Sequence, residues 1–422
     1  MIVRQAIRQP WPVTGVARRT LDQRISGDLP GVAMLLPLTA MGYNGVLAFI
    51  NGNIMSLGYP VVVITELMIL MAGLAVVAAR GLVRSDLPNL IMIYAVLILA
   101  IIVSMVNDVI FLDSIRNFCI VAIFGMIGWR ANQDFVCRLF FFASLAVLFF
   151  LVIELASTPA YVGLFQPARY LENTRGLSQF ELNDTGLFAN ALGYESRFSF
   201  GIFNTPRTSS LFVEQVSLAN YSAVLSLFMV SMWQALRPGH RALHIILIAL
   251  IVLSNNTRTS SALAMICVAG YFIYPRLPRF SNLGLVPLLL CVALGVFFGH
   301  GPQTGDDLVG RLSISMHDLV AMDIRTVFGG SVVNARHLFD SGYAYVIAST
   351  TLAGLAGFWL YVTLIVPQDS APQKRCAWAL NVYIFCWLLI GGTAIFSIKI
   401  AALLWLLVGH MRRHPPEIRA DA

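Results

Sequence analysis

Residues 54–79 read IMSLGYPVVVITELMILMAGLAVVAA, with Glu66 the sole charge, and Arg80 and Arg84 follow directly. A run this long and apolar matches a transmembrane helix, which needs about 20 apolar residues to cross the hydrocarbon core. Similar stretches recur at 31–50, 89–107, 111–129, 136–156, 208–236, 242–256, 259–274, 283–299, 344–366, 376–394 and 396–409. The expected fold is therefore an all-α, polytopic membrane protein of about twelve spans. Composition agrees. Hydrophobic residues are 58% of the 422 and charged ones only 12%, against roughly 25% charged in soluble domains. Six cysteines lie in or beside apolar segments without a CxxC pair, so neither a zinc site nor a disulfide framework is expected.

The arginines orient the chain. Arg4, Arg8, Arg18, Arg19 and Arg24 precede the first span, and Arg412, Arg413 and Arg419 follow the last. Between them the alternate short loops carry the pairs Arg80/Arg84, Arg130/Arg138, Arg237/Arg241, Arg276/Arg279 and Lys374/Arg375. Cytoplasmic loops collect Lys and Arg, so both termini are expected in the cytoplasm. On this reading 1–30 is a cytoplasmic segment without a cleavable signal, 31–409 the membrane domain and 410–422 a cytoplasmic tail. The net charge of +7 marks these loops and does not call for nucleic acid. The remaining bases, Lys399 and Arg116 among them, fall on the other side, mostly in two long loops at 157–207 and 300–343. Loops of this length are usually functional or disordered. Their scattered aromatics and glycines favour folded, functional segments.

Four clusters converge on that face. The first is Arg207-Thr-Ser-Ser210-Leu-Phe-Val-Glu214, entering the sixth expected span. On a helix Arg207 and Glu214 share a face, and charge at a span mouth should face protein or a wet cavity. The second is the hairpin Ser254-Asn-Asn-Thr257-Arg258. The third joins Gly310-Arg311 to Arg325-Thr-Val-Phe-Gly329-Gly330, whose guanidinium groups suit bidentate phosphate binding. The fourth is Asp340-Ser-Gly-Tyr343, where Asp340 could orient or deprotonate a hydroxyl. His337 is a second candidate base. His300, His317 and His337 lack the spacing of a compact metal site, so no metal is expected. Each cluster has a structural alternative: an ion pair fixing helix packing, a snorkelling interfacial Arg or a solvated loop charge. Glu66, inside a span, is the feature that best suits a transporter.

Taken in order, these clusters resemble the bacterial O-antigen ligases and Wzy-type polysaccharide polymerases. Arg207 to Glu214 matches that superfamily's R-x-x-S-x-F-x-E pattern. Ser254 to Arg258 resembles its Ser/Thr-Arg turn, with Asn and Thr in place of serines. Arg311 with Thr326 to Gly329 resembles the approach to its second periplasmic loop. Asp340 to Tyr343, followed by Gly354 and Gly357, resembles that loop's end. Gln215 stands where the superfamily often has Pro, and Asp340 where ligases often have His. The second departure favours polymerases, and the pattern is most similar to exopolysaccharide polymerases of the xanthan kind.

The resemblance implies a multi-pass protein of the bacterial inner membrane. Its substrate would be an undecaprenyl-pyrophosphate-linked oligosaccharide, polymerised at the periplasmic face without metal or other cofactor. A chain-length regulator or export complex is an expected partner besides membrane lipid. Arg207, Arg258 and Arg311 would bind the pyrophosphate. Asp340, Glu214 and His337, in that order, would be candidate bases. Ser210, Tyr343 and Arg325 would contact substrate, and Phe180, Phe188, Tyr194 and Phe198 could stack on sugars. A ligase, or a flippase or exporter without chemistry, are the competing expectations.

Overall fold

The computed structural model describes residues 29–176, 185–188, 191–192, 198–203, 205–301, 303, 305, 307–338 and 340–413. Most of the N-terminal segment, residues 414–422 of the tail, Phe180 and Tyr194 lie outside the described residues. The chain is all-helical, with no strand among the described residues. Its principal helices are α1 Leu35–Asn53, α2 Tyr59–Arg80, α3 Leu87–Asn107, α4 Asp113–Arg130 and α5 Gln133–Ala156. Next come α6 Thr158–Phe165, α7 Pro167–Arg175, α8 Gln215–Met232, α9 Pro238–Asn255 and α10 Arg258–Ile273. The last are α11 Leu285–His300, α12 Leu308–Val320, α13 Gly342–Leu364, α14 Ala371–Ile390 and α15 Ile398–Arg413.

Local sequence explains many helix ends. Pro60 and Pro238 sit in the first turns of α2 and α9, where a missing N–H costs nothing. Gly81, at φ 74°, and Asn256, at φ 52°, end the same helices in left-handed geometry, which Gly and Asn tolerate best. Asn132 caps α5 by accepting from the Phe135 amide at 2.7 Å.

Every expected apolar stretch coincides with a helix, though not every one has the length and apolarity of a span. Among the described residues, eight helical stretches are long and apolar enough to cross a membrane. They contain α1, α2, α3, α5, α8, α9, α11 and α13. These helices make the chain a multi-pass membrane protein. The other four fall short for evident reasons. Helix α4 carries Asp113, Arg116 and Arg130, and α14 opens on Gln373-Lys374-Arg375. Helices α10 and α15 have 16 residues, about 24 Å of helix against a core of about 30 Å.

Two of those four form the centre of the molecule. Residues Ile120–Gly128 of α4 and Ile398–Met411 of α15 are buried throughout. Their backbones touch: a Cβ on Gly128 would lie 1.9 Å from the Leu406 carbonyl oxygen, and one on Gly409 2.1 Å from that of Gly125. Close approach through small residues is how helices pack where lipid removes the hydrophobic drive. Helices α2 and α3 lie at the periphery. Ile64, Leu67, Met68 and Met71 of α2 are exposed, as are Ile91, Tyr94, Ile101 and Met105 of α3, an apolar face suited to lipid.

Hydrogen bonds sort the helix ends into two sets. At one end α1 finishes against α7 (Asn173 Nδ2 to Asn51 Oδ1, 3.0 Å), and α4 begins against α13 (Asn117 Nδ2 to the Tyr345 hydroxyl, 3.2 Å). There too the start of α8 meets the start of α15 (Lys399 Nζ to Glu214 Oε2, 2.6 Å). At the other, Arg130 closes α4 on Asp86 through two bonds of 2.9 and 2.6 Å, and Gln373 at the start of α14 donates to Met411 of α15 at 3.0 Å. Asn282 donates to Thr363 at the end of α13 at 3.2 Å.

The long segments carry structure of their own, and one expectation for the stretch between them changes. Residues 157–207 contain α6 and α7, and 300–343 contain α12, so both are partly helical. The segment 208–214 is not α-helical. Ser210 and Val213 have φ of 49° and 62°, Ser210–Phe212 is a single 3₁₀ turn, and Glu214 is extended. Arg207 and Glu214 therefore do not share a helix face.

The glycine contact predicts that Gly128→Leu will destabilise the chain by about 3 kcal/mol or more through overpacking. Gly163→Ala, where a Cβ meets open space, should be neutral. Thermal unfolding in detergent separates the two.

Candidate functional site

The segment 207–214 is a strap held by a buried carboxylate. Glu154, in the last turn of α5, accepts from the Ser209 amide at 3.0 Å and the Ser210 amide at 2.7 Å, and from the Ser209 hydroxyl at 3.2 Å. The Tyr161 hydroxyl adds contacts of 2.8 Å to Ser209 Oγ and 2.7 Å to the Ser210 carbonyl. These bonds offset the cost of two non-glycine residues in left-handed geometry. Gly45 of α1 gives the strap room, since a Cβ there would lie 2.7 Å from the Leu211 carbonyl oxygen.

The two ends of the strap project into different surroundings. Arg207 donates through Nε to the Asn255 carbonyl at 2.7 Å and through a terminal nitrogen to the Thr257 hydroxyl. Asn255 returns bonds to the Thr208 carbonyl at 2.6 Å and the Gln215 carbonyl at 3.0 Å, and Thr208 Oγ1 meets Ser254 Oγ at 2.8 Å. The next residue on that turn is Arg258, exposed, with its guanidinium 5.2 Å from the Phe198 ring centroid. The first and second sequence clusters thus form one unit, built on the tight α9–α10 turn.

Glu214 caps the start of α8 and is tied on three sides. Arg175, closing α7, holds it with two bonds of 2.9 and 3.3 Å, Lys399 donates at 2.6 Å and Ser217 Oγ at 2.8 Å. The Glu214 carboxylate raises the Arg175 guanidinium further above its ordinary range. Lys399 is only 3% exposed and Glu214 24%. A carboxylate so engaged acts as an electrostatic brace more readily than as a base. Beside it Glu66 accepts from the Tyr43 hydroxyl and pairs with Arg116, and the Tyr170 hydroxyl donates to Asn44 at 2.9 Å. Glu66 is thus a paired carboxylate on the protein-facing side of α2.

The third and fourth clusters also meet. Arg311 of α12 lies 3.5 Å from Asp340, whose side chain is 74% exposed. Ser315 and Ser341 join the same two segments through a hydroxyl contact of 3.2 Å and a bond to the Ser315 carbonyl at 3.0 Å. Burial raises the Asp318 carboxyl above its usual range, with nearby His317 opposing and Asp340 adding to the shift. Arg325 and His337 are exposed. Gly329 is pinned against α3: it sits at φ 88°, its carbonyl accepts from Asn107 at 2.5 Å, and a Cβ would lie 2.8 Å from Val103.

Two expected substrate contacts are corrected. Ser210 is fully buried and its hydroxyl donates to the Val147 carbonyl at 2.8 Å. Tyr343 is fully buried, with its hydroxyl 3.3 Å from the Phe385 carbonyl. Both are packed into the protein, where a substrate does not reach. Sequence reasoning missed Glu154, Tyr161, Arg175 and Lys399 as parts of the site. Lys399, a cation within an apolar run, carried the available signal. Among the described residues no three His, Cys, Asp or Glu side chains gather to hold a metal ion. Compared with known protein families, curated proteins and solved structures, the chain matches none.

Breaking a buried pair strands its partner. Lys399→Met is therefore expected to lower stability by about 3 kcal/mol, with part recovered on adding Glu214→Gln. Chemical unfolding of both single variants and the double in detergent measures this. Additive losses would remove the pairing as a stabilising element.

Proposed function

We propose that this chain is a membrane glycosyltransferase that polymerises undecaprenyl-pyrophosphate-linked repeat units. In this reading all twelve apolar helices cross the inner membrane, both termini are cytoplasmic, and the end carrying Glu66, Arg207, Glu214, Arg258 and Asp340 is periplasmic. The division of charge supports that orientation. Arg130, Arg241, Arg276, Lys374 and Arg375 gather at the opposite end, bonded to Asp86 and to carbonyls closing neighbouring helices, as cytoplasmic bases should.

The observation that carries the proposal is the joining of Arg207 to the α9–α10 turn beside Arg258. A departing pyrophosphate develops negative charge, and preoriented guanidinium groups stabilise it. An acceptor sugar hydroxyl would attack the anomeric carbon of the lipid-linked chain. The bond from that carbon to the pyrophosphate oxygen breaks, and the pyrophosphate leaves with the electron pair on its lipid carrier. The hydroxyl proton passes to a base. Asp340 fits that role best, because its carboxylate is exposed and only loosely paired with Arg311, with exposed His337 the second choice. Arg311 would complete the phosphate contacts, with exposed Arg325 a further contact. Pairing of Glu66 with Arg116 and Tyr43 speaks against a through-membrane ion path, and so against an exporter.

Purified protein mixed with an undecaprenyl-pyrophosphate-linked repeat should give a ladder spaced by one unit. Arg207→Ala should slow it about 100-fold, the usual effect of removing one charge-stabilising donor, and Asp340→Asn by about 100-fold or more as a lost base. A single transfer onto a foreign acceptor would make the chain a ligase, and no product with folded protein would remove the enzymatic reading.

A further inference from the structure

At the end of the bundle opposite this site, α10 finishes against the start of α14. The join leaves a pocket of about 290 Å³ lined by Tyr271, Phe272, Pro275, Arg276 and Arg375. Arg375 donates through Nε to the Tyr271 carbonyl at 2.9 Å and lies over the Tyr271 ring at 3.6 Å. Arg276 donates to the Phe272 carbonyl. Adjacent Lys374 reaches the Pro275 and Leu277 carbonyls at 3.2 and 3.3 Å. Among the described residues these three cations bond only carbonyl oxygens. The nearby carboxylate of Asp369 pairs instead with Arg279 at 3.3 Å.

Carbonyls closing a helix supply partial negative charge but do not neutralise three full positive ones. Each guanidinium has five N–H donors, so a set remains for an anion. The walls are apolar and outward-facing. Phe272 is 62% exposed and Ile273 51%, and the preceding turns of α10 expose Met265 and Val268 at 67% and 66%. An apolar helix face ending in a cationic pocket has the layout of a phospholipid, with its tails along the helix and its phosphate at the end. Basic pockets between membrane helices take anionic headgroups.

We infer that this pocket binds the phosphodiester headgroup of an anionic phospholipid whose acyl chains lie along the exposed face of α10. The site is independent of the catalytic proposal. It adds to the orienting role of these bases, because orientation needs only charge, whereas headgroup binding needs the guanidinium geometry.

The test titrates detergent-solubilised full chain with phosphatidylglycerol or phosphatidylcholine and counts retained lipid by native mass spectrometry. Phosphatidylglycerol should be retained in preference to phosphatidylcholine. In Arg276→Gln/Arg375→Gln its affinity should fall about 30-fold, from about 1 kcal/mol per basic residue. Arg279→Gln, outside the pocket, should leave it unchanged. Should the double variant fail to fold, Arg276→Gln alone should lose about fivefold. Arg276→Lys/Arg375→Lys, which keeps the charge, should still bind more weakly than the parent. Equal retention of the two lipids, or full retention in a folded Gln variant, would overturn the inference. Displacement by soluble glycerol phosphate at equal concentration would also overturn it, since the pocket would then serve a free phosphate.

Discussion

A carboxylate inside a bundle of apolar helices must be surrounded by donors or cations, because desolvation of the ionised group is otherwise prohibitive. Three carboxylates here, Glu66, Glu154 and Glu214, meet that requirement in ways that seat much of the surrounding structure. Glu154 spends its oxygens on the amides of Ser209 and Ser210, which forces the strap into left-handed turns. Glu214 gathers Arg175 from α7 and Lys399 from α15. Glu66 gathers Tyr43 from α1 and Arg116 from α4. Glu154 and Glu214 thus tie α5, α7 and α15 to the strap, and Glu66 ties α1, α2 and α4 to one another.

Two of the three cations in this arrangement come from the most closely packed part of the fold. Arg116 lies on α4 and Lys399 on α15, the two helices whose backbones meet at Gly128 and Gly409. Helices packed this closely have little freedom to shift. The strap, and with it Arg207, is therefore referenced to the centre of the bundle. Functional groups borne on loops gain precision when their supports are locked in this way. Arg311 and Asp340 differ: their side chains are 40% and 74% exposed and they lie 3.5 Å apart.

The two ends of the bundle carry opposed chemistry. One mixes acids and bases and holds the ion pairs of Glu66, Glu214 and Asp340. The other is dominated by arginines and lysines, several of them bonded to helix-ending carbonyls, beside the ion pairs Arg130–Asp86 and Arg279–Asp369. Paired charges preorganise a site. Cations on neutral acceptors keep their field for something outside the protein, whether a membrane surface or a lipid headgroup.

Hydropathy alone determined the helical class, the membrane environment and the approximate place of every long helix, because burial in lipid is a property of contiguous residues. Of the twelve stretches it marked, eight have the length and apolarity of a span, while α4 and α14 carry polar and charged residues and α10 and α15 stop at 16 residues. The arginine clusters were also legible as stretches of sequence, and Arg207 bonds Asn255 and Thr257 on the turn that precedes Arg258. Only the tertiary structure decided that Arg207 and Glu214 part company. The strap between them follows Glu154, a residue 55 positions from Ser209, and no helical periodicity carries that information. Lys399 and Glu214 are separated by 185 residues. Read as a sequence, the first is a base in an apolar run and the second an acid ending the Arg207 cluster, and their pairing exists only because α8 and α15 begin at the same end of the fold.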